Sequence, residues 1–414
     1  MQRTTLYLIA SGIAAGLVSL LYFLSLQLAF LPFAVTAVVI LLGVVALFWY
    51  TKRQALRFRD DEFRMILPVL VVLFIFLSTI TGKTIAVTER YGEWDAWAIW
   101  NLQAKFLVDP LHWKKMLQNT RYGHPDYPLL VPAVTAFFKR LLGNNARIEV
   151  VSFAFNFWIA ILTPVVLFMH TLRKSLLLAI VLLWFFATDS FYIARGASMY
   201  ADTTLAFFFM AALIGVRQQE NKYLWHMIAG ACIGCCLWTK NEGMVLSLIF
   251  LAFYIRQLFM QRLLKPFLLG AIFPLMVFVF FKVVYAPAND MVGGQSLHTL
   301  QQLLDTSRYQ LIYRYFTDNI QQKFGTLKIL VLLYLGYHLL KRKMPSKQFL
   351  LVSTCIVAYF MIYVLSVQDL EWHLSTSADR LLHQLMPAMV YALVSLYPDP
   401  KPRVAADQQW AMPE

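Results

Sequence analysis

Apolar residues in this chain come in runs that reach or approach the length of a bilayer crossing, and this restricts the fold more than any other feature. Leu6–Phe30, Pro32–Tyr50, Ile66–Ile80, Val150–Met169, Pro266–Phe281 and Phe349–Leu365 are such runs, and a helix needs about 20 residues to cross the hydrocarbon. Helix is the required form, because in lipid every backbone polar group must be satisfied within the protein. Composition agrees, with 60% of the residues hydrophobic and only 14% charged, where a soluble domain has about 25% charged. The expected fold is all-α and polytopic, a single integral membrane domain over 1–414 with about 12 transmembrane helices.

The net charge of +14 does not point to nucleic acid, since no soluble segment is present to carry a basic face. Anionic headgroups, or a phosphate-bearing lipid substrate, account for it better. Cys232, Cys235 and Cys236 share one apolar run and Cys355 lies in another. The Cys232-Ile-Gly-Cys235 spacing has no polar partners, so these thiols read as core packing. Arg3 before the first run imitates a signal peptide. That run is too long and a second follows at once, which makes it a retained first helix.

Lys and Arg in short loops mark the cytoplasmic side. Lys52, Arg53, Arg57 and Arg59, then Arg173 and Lys174, then Arg256, Arg262 and Lys265, then Lys341, Arg342, Lys343 and Lys347 are the clearest groups. With these inside, spans fall near 5–28, 32–50, 65–82, 149–170, 175–188, 199–216, 224–239, 243–258, 266–284, 326–340, 348–366 and 380–397. Both termini, including a 398–414 tail, are then cytoplasmic. The exterior segments are a long loop at 83–148, the Thr188–Tyr200 turn, a second loop at 285–325 and a shorter one at 367–379. Within the first loop, Pro128–Leu142 is apolar but ends Phe138-Lys139-Arg140-Leu141-Leu142. Counting it as a span would invert every later loop, so it reads as a juxtamembrane helix.

Polar residues gather in the exterior segments. A loop as long as 83–148 is usually functional when it has no regular structure of its own, and Trp94, Trp97, Trp100 and Trp113 suit the headgroup level. Its sharpest element is Tyr91-Gly92-Glu93-Trp94-Asp95-Ala96-Trp97. Asp95 either caps a helix running to Phe106, or one of the two carboxylates faces a cleft as a general base with the other in support. His124-Pro125-Asp126-Tyr127-Pro128 is either a Pro-fixed turn or a substrate-positioning one. Arg195 and Asp202, the hairpin Trp238-Thr239-Lys240-Asn241-Glu242-Gly243, and Asp379-Arg380 with His373 and His383 return to the same face. Together they suggest a polar site at the outer leaflet, where Lys240 and Arg380 could bind an anionic group.

In this order the residues resemble the GT-C fold glycosyltransferases, the polyprenyl-phosphate-sugar-dependent class that includes protein O-mannosyltransferases and the lipid A aminoarabinose transferase. Asp95 or Glu93 matches the acidic residue of the first exterior loop, and Asp126-Tyr127-Pro128-Leu129-Leu130 resembles the Pro-Pro-Leu-like motif. Asp202, Thr239-Lys240-Asn241-Glu242-Gly243 and Arg380 match the later acidic and basic positions. The chain departs from the family in two extra spans before the acidic loop, one proline where many relatives have two, and no large soluble C-terminal domain.

The resemblance implies inverting transfer of a sugar from a polyprenyl-phosphate carrier to a lipid or glycan acceptor hydroxyl. Asp95 and Glu93 would be catalytic, and Lys240 and Arg380 would hold the donor phosphate. His124, Asp126, Tyr127, Asp202 and Glu242 would position substrate. No cofactor is implied; a divalent metal is not indicated, although Glu93-Trp94-Asp95 offers a weak site for one. The expected location is the inner membrane of a bacterium, with the site on the extracytoplasmic face. Two rivals share the general layout. A transporter or flippase should show paired broken helices or internal repeats, and neither is visible in the sequence. A lipid-linked polysaccharide polymerase or ligase should carry an Arg-rich pattern in one large late loop, which is also not seen.

Overall fold

A computed structural model of the chain describes residues 2–28, 30–55, 66–118, 124–288 and 301–397. The predicted basic residues Arg57 and Arg59, residues 289–300 of the second exterior loop and the 398–414 tail lie outside the described residues. A helix coincides with every predicted span. The first three are α1 (Gln2–Ser25), α2 (Phe33–Ala55) and α3 (Ile66–Val87). The first long loop holds α4 (Asn101–Leu107) and α5 (Leu130–Leu142). There follow α6 (Ile148–Leu172), α7 (Leu176–Thr188), α8 (Ser190–Ala197), α9 (Ala201–Arg217), α10 (Lys222–Thr239), α11 (Glu242–Met260) and α12 (Leu264–Val284). The last four are α13 (Thr306–Gln322), α14 (Gly325–Leu340), α15 (Lys347–Val364) and α16 (Leu370–Val394).

No strand occurs among the described residues. Among them, seven helices are long and apolar enough to cross a membrane, and up to nine spans result if two bent helix pairs are each one span. The chain is therefore an all-helical polytopic membrane protein.

The bent pairs are α7 with α8, at 64°, and α13 with α14, at 99°. Such breaks were not visible in the sequence. The predicted Thr188–Tyr200 turn is mostly α8, started by Asp189, whose carboxylate accepts from the Tyr192 N–H at 2.7 Å. Likewise Asp305 starts α13 inside the predicted second loop, accepting from the Ser307 N–H at 3.0 Å. The last helix also begins earlier than expected, at Leu370 rather than near 380, because Asp369 caps it by accepting from the Trp372 N–H at 2.8 Å. Polar helix starts of this kind read as loop from composition, yet a side-chain cap satisfies an orphan N–H and lets the helix begin.

At the centre stands α9. Every residue from Ala201 to Val216 is buried, as expected for a helix that is apolar on all sides. It packs against α6, α10 and α16, and so its first turn, with Asp202, is carried into the interior. On one flank α10 and α12 approach with almost no side chain between them. A Cβ on Gly230 would lie 1.9 Å from the Phe267 carbonyl oxygen, and one on Gly270 would lie 1.8 Å from that of Met227. Small residues allow such backbone contact between membrane helices. The cysteines of α10 are free and buried in this packing. By contrast α2 and α3 lie at the rim, with 17% of their most apolar windows buried against 61% in α6.

The first long loop is folded onto this frame. The predicted juxtamembrane helix is α5, whose Leu130–Phe137 half is buried against α1, α4 and α6. Tyr22 of α1 donates to the Leu107 carbonyl at 2.7 Å. Trp238 of α10 donates to Ser19 at 2.8 Å, and Ser19 donates on to the Leu129 carbonyl at 3.3 Å. The loop is thus tied to α1 on both sides of the 124–128 motif, and α10 braces the second tie through Ser19.

Candidate functional site

Five charged side chains from four parts of the sequence form one chain of ion pairs. Asp95 meets Arg380 at 2.6 Å, and Arg380 meets Asp202 at 3.5 Å. Asp202 meets Lys240 at 3.0 Å, and Lys240 meets Glu242 at 2.9 Å. Local structure explains each placement. Asp95 opens a single wide turn, Ala96–Trp100, that leads into α4. Asp202 is in the first turn of α9, Lys240 is the extended residue between α10 and α11, and Arg380 lies within α16. Asp202 is the innermost member, with its side chain 1% exposed, whereas Asp95 and Glu242 are 18% and 17% exposed.

Moving unpaired charges out of water is costly, and removing one member of a buried pair typically costs about 3–5 kcal/mol. The alternation of sign is what makes the cluster tolerable. Three carboxylates and two cations leave one net negative charge. Further contacts hold the centre. Gln384, one turn beyond Arg380, donates to Asp202, and Tyr359 of α15 donates to the Gln384 side-chain Oε1 at 2.6 Å.

Asp95 makes no side-chain cap bond to its own helix. The capping alternative is therefore not how the residue is used; its carboxylate goes to Arg380 instead. Gly92 supplies the sharp approach to this segment with φ +72°, and a Cβ there would lie 2.6 Å from that of Ala96 and 2.9 Å from the Ser198 carbonyl oxygen. Glu93 points elsewhere and pairs with Arg195 at 2.5 Å. Two neighbouring carboxylates thus serve two different guanidinium groups, and between those groups lies Tyr200. Its ring centre is 4.5 Å from Arg380 and 5.6 Å from Arg195, and its hydroxyl accepts from the Asp95 N–H at 3.2 Å. Burial pushes the Tyr200 phenol well above its ordinary value, with Asp95 adding to the push.

The 124–128 motif forms the adjoining wall. His124 takes a left-handed backbone, φ 39°, and its ring stacks on Tyr127 at 4.9 Å. Trp100 also stacks on Tyr127, at 5.6 Å. Burial, with help from Glu242 and Asp126, holds the Tyr127 phenol protonated. Asp126 accepts from the Asn241 side-chain amide at 2.6 Å, while Lys282 donates to the Asn241 side-chain Oδ1 at 2.7 Å. His383 is buried deeper and lies 3.3 Å from the Thr203 hydroxyl.

The structure therefore brings Asp95, Lys240, Arg380, Asp202 and Glu242 into direct sequence of contact, sets Tyr127 beside Lys240, and ties Asp126 to the same hairpin through Asn241. It separates Glu93 from that chain by way of Arg195. Gln384, Tyr359 and Lys282 were missed. Gln384 carried a signal, since it follows Arg380 by one helical turn on the same face. Among the described residues, no three His, Cys, Asp or Glu side chains come together as a metal-ligand group.

No family model, curated protein or solved structure matches this chain. Its class is set by its own architecture, a polytopic helical membrane protein with a buried charge cluster at one end of the bundle.

Proposed function

We propose that this chain is an inverting, GT-C-like glycosyltransferase of about 12 spans that moves a sugar from a polyprenyl-phosphate carrier to an acceptor hydroxyl at the outer face of the membrane. The observation that carries this reading is the Asp95–Arg380–Asp202–Lys240 chain of ion pairs. It supplies two cations for a phosphate and, beside them, a carboxylate to take a proton. The inner-membrane location in a bacterium belongs to the same proposal.

In this scheme the donor phosphate binds Arg380 and Lys240. Asp202 stays in place, because Gln384 and both cations hold it. Asp95, a partner at the exposed end, is displaced from Arg380 and becomes free to act. The acceptor hydroxyl attacks the anomeric carbon, and its proton passes to Asp95. The bond between that carbon and the phosphate oxygen breaks, and its electron pair stays on the departing polyprenyl phosphate. Arg380 and Lys240 stabilise the charge that develops there. Total charge is conserved, since Asp95 gains the proton as the phosphate gains a negative charge. Glu93, held by Arg195, supports the loop from its flank.

A transporter with its substrate at the cluster is the second reading, favoured by the two bent helix pairs of a kind found at transporter sites. One experiment separates the two. Purified protein in nanodiscs, given a defined polyprenyl-phosphate sugar and a hydroxyl acceptor, should form a glycosylated product. Asp95→Asn should lower turnover by about a hundredfold. Substrate uptake into liposomes without any product would replace the transferase reading with the transporter.

A further inference from the structure

Next to the charge cluster, α13 and α16 run side by side and present matching stripes. Tyr315, Asn319 and Lys323 recur every fourth residue from α13, as do Glu371, Ser375 and Asp379 on α16, so each trio lies along one helical face. The stripes are in register. Tyr315 reaches Glu371 at 3.5 Å at one end, and Lys323 meets Asp379 at 2.5 Å at the other. Between these rungs the two helices enclose a groove of about 360 Å³. Eight residues of helix make the stripes about 12 Å long, enough for more than one sugar ring.

Chemistry narrows the ligand. Arg314 and Lys323 balance Asp318 and Glu371 along the lining, so the groove has no net charge with which to select an anion. In the middle rung, Asn319 and Ser375 donate to backbone carbonyls of their own helices, at 2.9 Å in each case. Their amide and hydroxyl oxygens therefore remain as acceptors facing a polar groove, next to the carboxylates of Asp318 and Glu371. Such a lining of amide, hydroxyl and paired carboxylate groups, with the Tyr315 ring as an apolar surface, matches an uncharged molecule rich in hydroxyls. The inner rung also leads somewhere. Asp379 directly precedes Arg380, the partner of Asp95, and Lys323 touches the Phe191 ring at 5.3 Å, whose other cation is Arg195.

We propose that the groove between α13 and α16 binds an uncharged oligosaccharide as the acceptor, with its terminal hydroxyl directed past the Lys323–Asp379 pair toward Asp95. This deepens the transferase reading and rests on it for the acceptor role. Binding itself can be measured without turnover. Full-length protein in nanodiscs is titrated with neutral trisaccharides of glucose, mannose and N-acetylglucosamine, and with an oligogalacturonide as the anionic probe, by saturation-transfer NMR. At least one neutral trisaccharide should bind in preference to the anionic probe, and Asn319→Ala and Glu371→Gln should each weaken it about tenfold. Both positions are solvent-accessible, so neither change threatens the fold. In the transfer assay the same variants should raise the acceptor KM and leave the donor KM unchanged. No binding by any neutral trisaccharide, equal binding of the oligogalacturonide, or binding indifferent to both variants overturns the groove. Saccharide binding that responds to the variants, in a protein that transfers nothing, upholds the groove as a saccharide site and instead removes the transferase reading.

Discussion

The two polar ends of the bundle treat charge in opposite ways. At the end that carries Asp202, cations and carboxylates alternate in a buried chain, and each cation touches two acids. At the other end, the contacts among the described residues are mostly between basic side chains and neutral groups. Lys174 donates to the Tyr397 carbonyl at 3.0 Å, Arg217 to Gln348 at 3.5 Å and the Ser395 carbonyl at 3.4 Å, and Lys347 to Gln257 at 3.3 Å. Among the described residues, the acidic neighbour is Glu220, which stands 3.9 Å from Arg173 and is 56% exposed. Those contacts close helix ends, and the basic residues suit a surface against anionic headgroups. Holding helices together does not need the first arrangement, since a buried ion pair is weak support for stability compared with apolar packing. A costly buried cluster inside a membrane protein points to function.

Substitutions can break this contrast, and the largest effect belongs to Asp202. Asp202→Asn leaves Lys240 and Arg380 facing each other across a neutral group, and should lower stability by about 3–5 kcal/mol. Thermal unfolding in detergent measures it; a wild-type melting curve would mean that Lys240 and Arg380 do not depend on the Asp202 carboxylate for their neutralisation. Next comes Arg380. Loss of a charge-assisted contact worth about 1.5–3 kcal/mol should weaken donor use by about ten- to a hundredfold in Arg380→Ala. Arg380→Lys should lose less, because it retains the charge but not the two-pronged geometry. Donor dependence unchanged in both would place the phosphate elsewhere. Arg308 is a poor substitute, because it is committed to the carbonyls of Tyr363, Val364 and Ser366 at 3.0–3.1 Å.

Smaller effects sharpen the picture. Glu93→Gln frees Arg195 but leaves the central chain intact, so turnover should fall only a few-fold, far less than in Asp95→Asn. Equal losses would make Glu93 a second member of the chemistry. At the opposite end, Arg173→Ala should change stability by less than about 1 kcal/mol, measured in the same unfolding experiment. A loss as large as that of Asp202→Asn would erase the difference between the two ends.

Much of this was legible because hydropathy and charge are one-dimensional signals in a membrane protein. Apolar run lengths located helices at all the predicted spans, and sorting basic loops from polar ones directed Asp95, Asp202, Lys240 and Arg380 to one end. What failed was local. Asp189, Asp305 and Asp369 start helices inside segments whose polarity reads as loop, because a cap needs one side chain placed on one N–H. The bends between α7 and α8 and between α13 and α14 depend on packing that run length does not encode. Glu93 and Asp95 are indistinguishable by composition, and only the turn at Gly92 sends one to Arg195 and the other to Arg380. Lys282, at the end of an apolar helix, has the pattern of an interfacial anchor, yet it donates to the backbone carbonyl of Asp126.

The proposed transferase reading is tested most directly by where a carrier phosphate binds. A cryo-EM structure of the protein in nanodiscs with a polyprenyl monophosphate would show it. The phosphate should lie between Arg380 and Lys240, with Asp95 moved off Arg380 and Asp202 unmoved. Phosphate density at the Arg173 and Lys174 end, with the Asp95–Arg380 pair intact, would contradict it.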